Sequence, residues 1–228
     1  MNMSTATNNT NFQSKNENKE IEWPYYKGNK DTLKDYMPLL IMEIHRLQPF
    51  YDNIRPRLQV LNRPELQIRN ATIIGIVRKT YSRSRLDLMV DDGTGRMQVL
   101  FEWDKINKLK EERKKIDLKF QRLSKIAEIK NSGPEEIQNL EKRWMQETNN
   151  GKLGVDYQVL DYVKVTGFIV LDYGQRKVSK KDVSLEKGYL CKPIIHAGNI
   201  QHQTEKEYND QMQNWILGKI KSRYVKEK

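Results

Sequence analysis

Cysteine, histidine and long apolar runs are scarce in this chain of 228 residues. The single cysteine, Cys191, excludes an internal disulfide and a multi-cysteine zinc site, and it fits a reducing compartment. The three histidines are too few and too scattered along the chain for a metal site. No apolar run approaches the length of a bilayer span. These absences predict a protein that does not cross a membrane and that uses neither a metal nor another cofactor.

Positive charge is abundant. The sequence has 41 Lys and Arg against 30 Asp and Glu, a net charge of +11, while apolar residues make up only 37%. Such a balance predicts a polyanionic partner, either nucleic acid or an acidic membrane surface. Residues 1–20 contain no apolar core of a secretory signal, and their Asn-rich and Thr-rich composition predicts a disordered tail.

Residues 21–65 are predicted to form an N-terminal helical extension. Leu40 to Leu47 has apolar residues at helical spacing, whereas prolines interrupt Phe50 to Glu65 and predict an irregular lead-in. Aromatic residues near the start of the extension are expected to pack against this domain or against a partner. They are Trp23, Tyr25 and Tyr26.

Residues 66–203 have the texture of a β-domain. Runs rich in β-branched residues, separated by turn residues, predict five strands. These are Leu66 to Arg78, Leu86 to Asp91, Arg96 to Trp103, Asp161 to Leu171 and Val178 to Leu185. Helical periodicity predicts an insert at 104–148, with helices from Asp104 to Lys130 and from Pro134 to Glu147, and Ile194 to Gln203 is predicted to be a loop.

The last segment, residues 204–228, predicts an amphipathic helix. Thr204 with Glu207 three residues later is a capping box. An apolar stripe follows it at helical spacing. The stripe consists of Tyr208, Met212, Trp215, Ile216, Ile220 and Tyr224.

Three strands, a helical insert and two further strands follow the order of the five-stranded OB-fold barrel. Four segments also resemble a known family, the OB domains of the replication protein A middle subunit and of Stn-type telomere-capping subunits. They are Ile73 to Val77, Val90 to Gly95, Phe101 to Trp103 and Val163 to Gly167. The replication subunit carries a winged-helix domain after its barrel, whereas these 228 residues end after the terminal helix. This layout is closest to the single-barrel, Verrocchio-type capping proteins of insects.

The resemblance implies binding of single-stranded DNA by base stacking and by contacts to phosphates. It places a stacking aromatic at Trp103 and a second one near Tyr173. Basic residues and one tyrosine accompany them in the two flanking turns. These are Arg78, Lys79, Tyr81, Arg83 and Arg85 in the first turn, and Arg176, Lys177, Lys180 and Lys181 in the second. The alternatives are that Trp103 belongs to the core and that the cations form an ordinary solvated surface.

The resemblance further implies that the terminal helix packs against a smaller OB-fold subunit, Ten-type or Modigliani-like, beside a third, larger subunit. The apolar stripe would supply that contact. The alternative is that the stripe packs back onto the barrel of its own chain. The insert has 12 basic and nine acidic residues, which predicts a mixed, solvated surface without a binding role.

No catalytic arrangement is predicted. Asp91 and Asp92 are adjacent in a turn, and the turn lacks the Gly-Lys-Ser/Thr of a phosphate-binding loop. The sequence therefore predicts a nuclear, non-enzymatic subunit at chromosome ends. The alternatives are a protein-interaction scaffold without DNA binding and a general replication protein A-like binder of single strands.

Overall fold

The computed structural model describes residues 36–51, 56–60, 63–82, 84–172 and 192–224. Strands dominate the first part of the chain and helices the middle and the end. In order, the elements are β1 (Met37–Pro38), α1 (Ile41–His45), β2 (Gln48–Tyr51), β3 (Pro56–Val60), β4 (Arg63–Ile68), β5 (Asn70–Ser82), β6 (Leu86–Asp91), β7 (Arg96–Phe101), α2 (Trp103–Ile129), α3 (Pro134–Glu147), β8 (Tyr162–Asp172), β9 (Lys192–Gln203), α4 (Glu205–Asn214), a π-helical segment (Trp215–Ile220) and α5 (Lys221–Tyr224).

Five strands close into a barrel in the order β5-β6-β7-β9-β8, with β8 pairing back onto β5. The β7–β9 pair is parallel, and the other pairs in the barrel wall are antiparallel. The helices α2 and α3 lie between the third and fourth barrel strands. This is the OB-fold, as the sequence predicts, and the helical insert is confirmed within one residue at its start.

The fifth barrel strand is β9, so the prediction of a loop from Ile194 to Gln203 was wrong. Val178 to Leu185, predicted to be that strand, lies outside the described residues. In β9, the core residues Ile195, Ala197 and Ile200 are spaced by two and then three positions, and Ile194 beside them is buried as well. The pairing with β8 shifts register between Thr166 and Gly167, so the alternation of inward and outward residues along β9 is interrupted. The sequence of β9 therefore lacks the period of two that identifies a strand.

The lead-in before the barrel is also more regular than predicted. Phe50 to Glu65 contributes to β2, β3 and β4, which form a separate three-stranded antiparallel sheet. The prolines that suggested irregular chain are compatible with it, because Pro56 is the first residue of its strand and the others lie on edge strands. Within the described part of the predicted helical extension, residues 21–65, the one helix is α1, and it has only five residues.

The Asp-Asp-Gly-Thr-Gly turn between β6 and β7 holds α1 in place. The buried carboxylate of Asp92 accepts hydrogen bonds from the backbone N–H groups of Ile41 (2.7 Å), Thr94 (2.8 Å) and Gly95 (3.1 Å). The Thr94 hydroxyl accepts a further bond from the backbone of Met42. The turn therefore satisfies the free N–H groups at the start of α1.

The insert projects two long polar helices from the barrel. Trp144 on α3 packs against Phe120 on α2, with 5.7 Å between ring centroids, and its indole N–H donates to Asp117 at 2.9 Å. Arg113 lies 4.8 Å above the same indole ring. In the part of the chain that the structure describes, no helix is long and apolar enough to cross a membrane.

Candidate nucleic-acid interface

Outward-pointing residues form two rows across β5, β6, β7 and β9, here called the outer face. Their strand neighbours Leu88, Val90, Met97 and Val99 point into the core, which fixes the outward direction of the rows. The first row is Lys79, Met89, Gln98 and Ile194, and the second is Tyr81, Asp87, Leu100 and His196.

Two predicted site residues, Lys79 and Tyr81, lie together on this outer face. They are two residues apart on β5, so both side chains point the same way, and both are exposed, Tyr81 by 50%. A half-exposed phenol ring beside an ammonium group suits stacking on a base with a contact to its phosphate.

Arg78 is placed differently from its neighbour Lys79. A β-bulge between Val77 and Lys79 turns Arg78 toward Asp91, to which its guanidinium donates at 3.3 Å. Arg96 donates to the same carboxylate oxygen at 3.2 Å. The backbone N–H of Gly93 and these two cations lower the pKa of Asp91. The Asp91 carboxylate of the same chain therefore neutralises part of the Arg78 charge.

Trp103 begins α2 and is half-buried, packed against the hydrophobic core. Its contact with the core fits the core alternative, and base stacking by Trp103 stays a prediction. Arg85 is also partly buried. Other predicted site residues lie outside the described residues and stay predictions: Arg83, Tyr173, Arg176, Lys177, Lys180 and Lys181.

Sequence reasoning missed several residues of the outer face. Gln98 donates a hydrogen bond to Asp87 at 2.6 Å, and both are partly buried. Burial lowers the pKa of His196, and the charges of Arg85 and Lys105 lower it further, against the charges of Glu102 and Asp172. The alternation of apolar and polar residues in β6 already pointed Asp87 outward, but His196 required the pairing of β7 with β9.

Leu100 and Ile194 belong to the outer face, yet both are buried. Neither joins the cluster of side chains inside the barrel. The outer face is therefore open at its β5 end, around Tyr81, and covered at its β9 end.

The terminal helix divides its apolar stripe between two environments. Tyr208 packs on Tyr162 of β8, with ring centroids 4.9 Å apart, and Ile220 is buried. Met212 and Trp215 are half-buried, Ile216 is 47% exposed, and the side chain of Tyr224 is outside what the structure describes. Leu217, which the predicted stripe omits, is 60% exposed. The stripe thus packs on its own barrel at Tyr208, is buried again at Ile220, and presents apolar surface at Ile216 and Leu217 between them.

The capping box at the start of this helix is confirmed. The Thr204 hydroxyl accepts from the backbone of Glu207 at 3.2 Å, and the Glu207 carboxylate accepts from the backbone of Thr204 at 2.8 Å. Within the described ranges, no three His, Cys, Asp or Glu side chains gather as a set of metal ligands.

No protein-family model matches this sequence, and no curated protein matches it. Solved structures do match. The S. pombe Stn1–Ten1 complex is similar at 14% identity over 80% of this chain and 88% of that chain, with a TM-score of 0.43. A replication protein A heterotrimer bound to single-stranded DNA is similar at 14% identity over 83% and 98%, with a TM-score of 0.42. Yeast Stn1 and Ten1 are similar at 10% identity over 87% and 80%, with a TM-score of 0.43.

The strand order of the barrel, its closure between β5 and β8, and the parallel β7–β9 pair define the architecture independently of these matches. This chain is an OB-fold protein with a helical insert and a C-terminal helix.

Proposed function

We propose that this chain is a non-enzymatic subunit of a nuclear chromosome-end capping complex, which binds single-stranded DNA together with a smaller OB-fold partner and a third, larger subunit. The observation that carries the DNA-binding proposal is the pair of exposed side chains Lys79 and Tyr81 on the outer face of the barrel. The capping assignment rests on the four sequence segments that resemble Stn-type subunits.

The mechanism is stacking of bases on aromatic rings, with phosphates held by cations. Tyr81 would accept one base, while Trp103 and Tyr173 would accept others. Lys79 would neutralise a phosphate, together with the basic residues of the two turns. Among the described residues of the outer-face rows, the one amide side chain is Gln98, and it donates to Asp87 at 2.6 Å. We therefore expect binding to tolerate different sequences.

We expect Tyr81→Ala to weaken binding of a fluorescein-labelled oligothymidine by about tenfold, because one stacked base contributes ~1–3 kcal/mol. Fluorescence anisotropy at several salt concentrations measures this. Tyr36→Ala is the matched control, because Tyr36 is 46% exposed and lies in the N-terminal extension, outside the rows of the outer face. Lys79→Gln should lower the slope of log affinity against log salt by about one. Equal affinities for Tyr81→Ala and Tyr36→Ala would refute this stacking site.

The partner proposal rests on the exposed side chains of Ile216 and Leu217 in the π-helical segment. Two aliphatic side chains at the surface of an amphipathic helix suit a helix-on-helix contact. We expect Ile216→Asp with Leu217→Asp to abolish co-purification of a Ten-type subunit while the barrel stays folded by circular dichroism. Tyr208 is unsuited to this test because it packs on the chain's own β8. Undiminished co-purification would contradict the assignment.

A protein-interaction scaffold is the second candidate function. The observation that favours it is the burial of Leu100 and Ile194 on the outer face. If oligothymidine does not bind the chain alone or with its partner, this second function replaces the first. Chromatin immunoprecipitation at chromosome ends, compared with replication foci, separates capping from general replication.

A further inference from the structure

Helix α2 carries an exposed stripe in its outer half that the proposed function does not use. Its members follow one another at intervals of three and four residues and so share one face of the helix. They are Lys115, Leu118, Arg122, Lys125 and Ile129, here called the α2 ridge. Leu118 is 54% exposed and Ile129 is 82% exposed.

Acidic and basic residues alternate irregularly in the sequence of α2, but in the folded helix Asp117 lies on a different face from the cations of the ridge. Asp117 turns toward α3 and accepts from the Trp144 indole of that helix and from Arg113 of α2, both at 2.9 Å. Glu111 lies one turn before Lys115 on the same face, but it accepts from Lys114 at 3.1 Å, and none of the described carboxylates pairs with Lys115, Arg122 or Lys125. The ridge therefore combines unpaired positive charge with two largely exposed aliphatic side chains.

An occupant of this ridge must supply both carboxylates and apolar surface. A nucleic-acid backbone would satisfy the cations but would leave Leu118 and Ile129 in water. Residues 17–26 of this chain have the required composition. They contain Glu17, Glu20 and Glu22 with one lysine, and they carry Ile21, Trp23, Tyr25 and Tyr26.

The described chain begins at a place from which this segment can reach the ridge. The Tyr36 hydroxyl lies 3.7 Å from the position that a Gly198 side chain would occupy. The adjacent carbonyl of Ala197 accepts a hydrogen bond from Lys105, in the first turn of α2, at 2.7 Å. Nine residues, 27–35, span up to about 30 Å. Lys115 and Arg122 lie about 15 and 26 Å along the helix from Lys105.

We propose that residues 17–26 dock on the α2 ridge of the same chain, with their glutamates against Lys115, Arg122 and Lys125 and their aromatic rings against Leu118 and Ile129. The insert then has a binding role as the receptor for the N-terminal segment. None of these residues belongs to the outer face, so the contact can be tested independently of DNA binding.

The test places the photo-crosslinking residue p-benzoylphenylalanine at position 118 of the full chain. The control is the same residue at position 145, because Met145 is also exposed but lies on α3. After irradiation of dilute protein, we expect mass spectrometry to find residues 17–26 crosslinked to position 118 and not to position 145. Mixing with isotope-labelled chain distinguishes a contact within one chain from a contact between two.

Charge reversal provides the second arm. Glu17→Lys, Glu20→Lys and Glu22→Lys together should reduce the crosslink by about fivefold, since three exposed ion pairs are lost. Adding Lys115→Glu, Arg122→Glu and Lys125→Glu should restore it. Equal yields at positions 118 and 145, indifference to charge reversal, or crosslinking only to a second chain, another protein or DNA would each overturn the proposal.

Discussion

Replacing Arg223 by alanine should lower the free energy of unfolding by about 3–5 kcal/mol, because it leaves a carboxylate buried without its cation. Arg223 and Glu43 are almost fully buried, and their side chains meet at 2.7 Å. Arg223 also donates to the carbonyl of Pro38, and Glu43 accepts from the backbone of Leu40 at 2.8 Å. The pair joins α5 to α1. Urea unfolding followed by circular dichroism measures the loss.

Two further variants make this result decisive. Replacing both partners by apolar residues, as in Glu43→Leu with Arg223→Met, should recover most of the loss, because no buried charge remains. Lys114→Ala removes an exposed pair with Glu111, formed at 3.1 Å, and should change stability by less than about 0.5 kcal/mol. If Arg223→Ala unfolds at the same urea concentration as Lys114→Ala, the pair does not support the fold.

A methyl group at Gly167 is the second change with a large expected effect. A Cβ atom there would lie 2.7 Å from Cγ2 of Ile195 and 2.8 Å from the Cα of Ala197, with the carbonyl oxygen of His196 still closer. Backbone atoms of β9 cannot move away without opening the β8–β9 pair. Gly167→Ala should therefore destabilise the barrel by about 1–3 kcal/mol or more, measured as a lower midpoint of thermal unfolding.

The adjacent strand offers a matched control. At Gly198 a Cβ atom would meet only ordinary contacts, 3.6 Å from the Thr166 carbonyl oxygen and 3.7 Å from the Tyr36 hydroxyl. Gly198→Ala should leave the midpoint within the range of neutral surface changes, about 0.5 kcal/mol. A Gly167→Ala midpoint equal to that of Gly198→Ala would show that the two strands separate more easily than their packing indicates.

Local signals in the sequence determined the elements that depend on nearby residues. The helices α2 and α3 follow from apolar spacing and from Pro134 at a helix start, and the capping box at Thr204 marks the beginning of α4. Strand β6 follows from strict alternation. Each of these patterns is complete within a few turns of helix or a few residues of strand, so no distant contact is needed to recognise it.

Only the tertiary structure decided which distant residues meet. Strand β9 is recognisable by its pairing with β7 and β8, and Arg223 finds Glu43 across 180 positions of the chain. The direction of Arg78 depends on a bulge in β5, and the sorting of charges on α2 depends on α3 packing against it. These features arise from long-range burial and cross-strand register, which leave no periodic trace in the sequence around each residue.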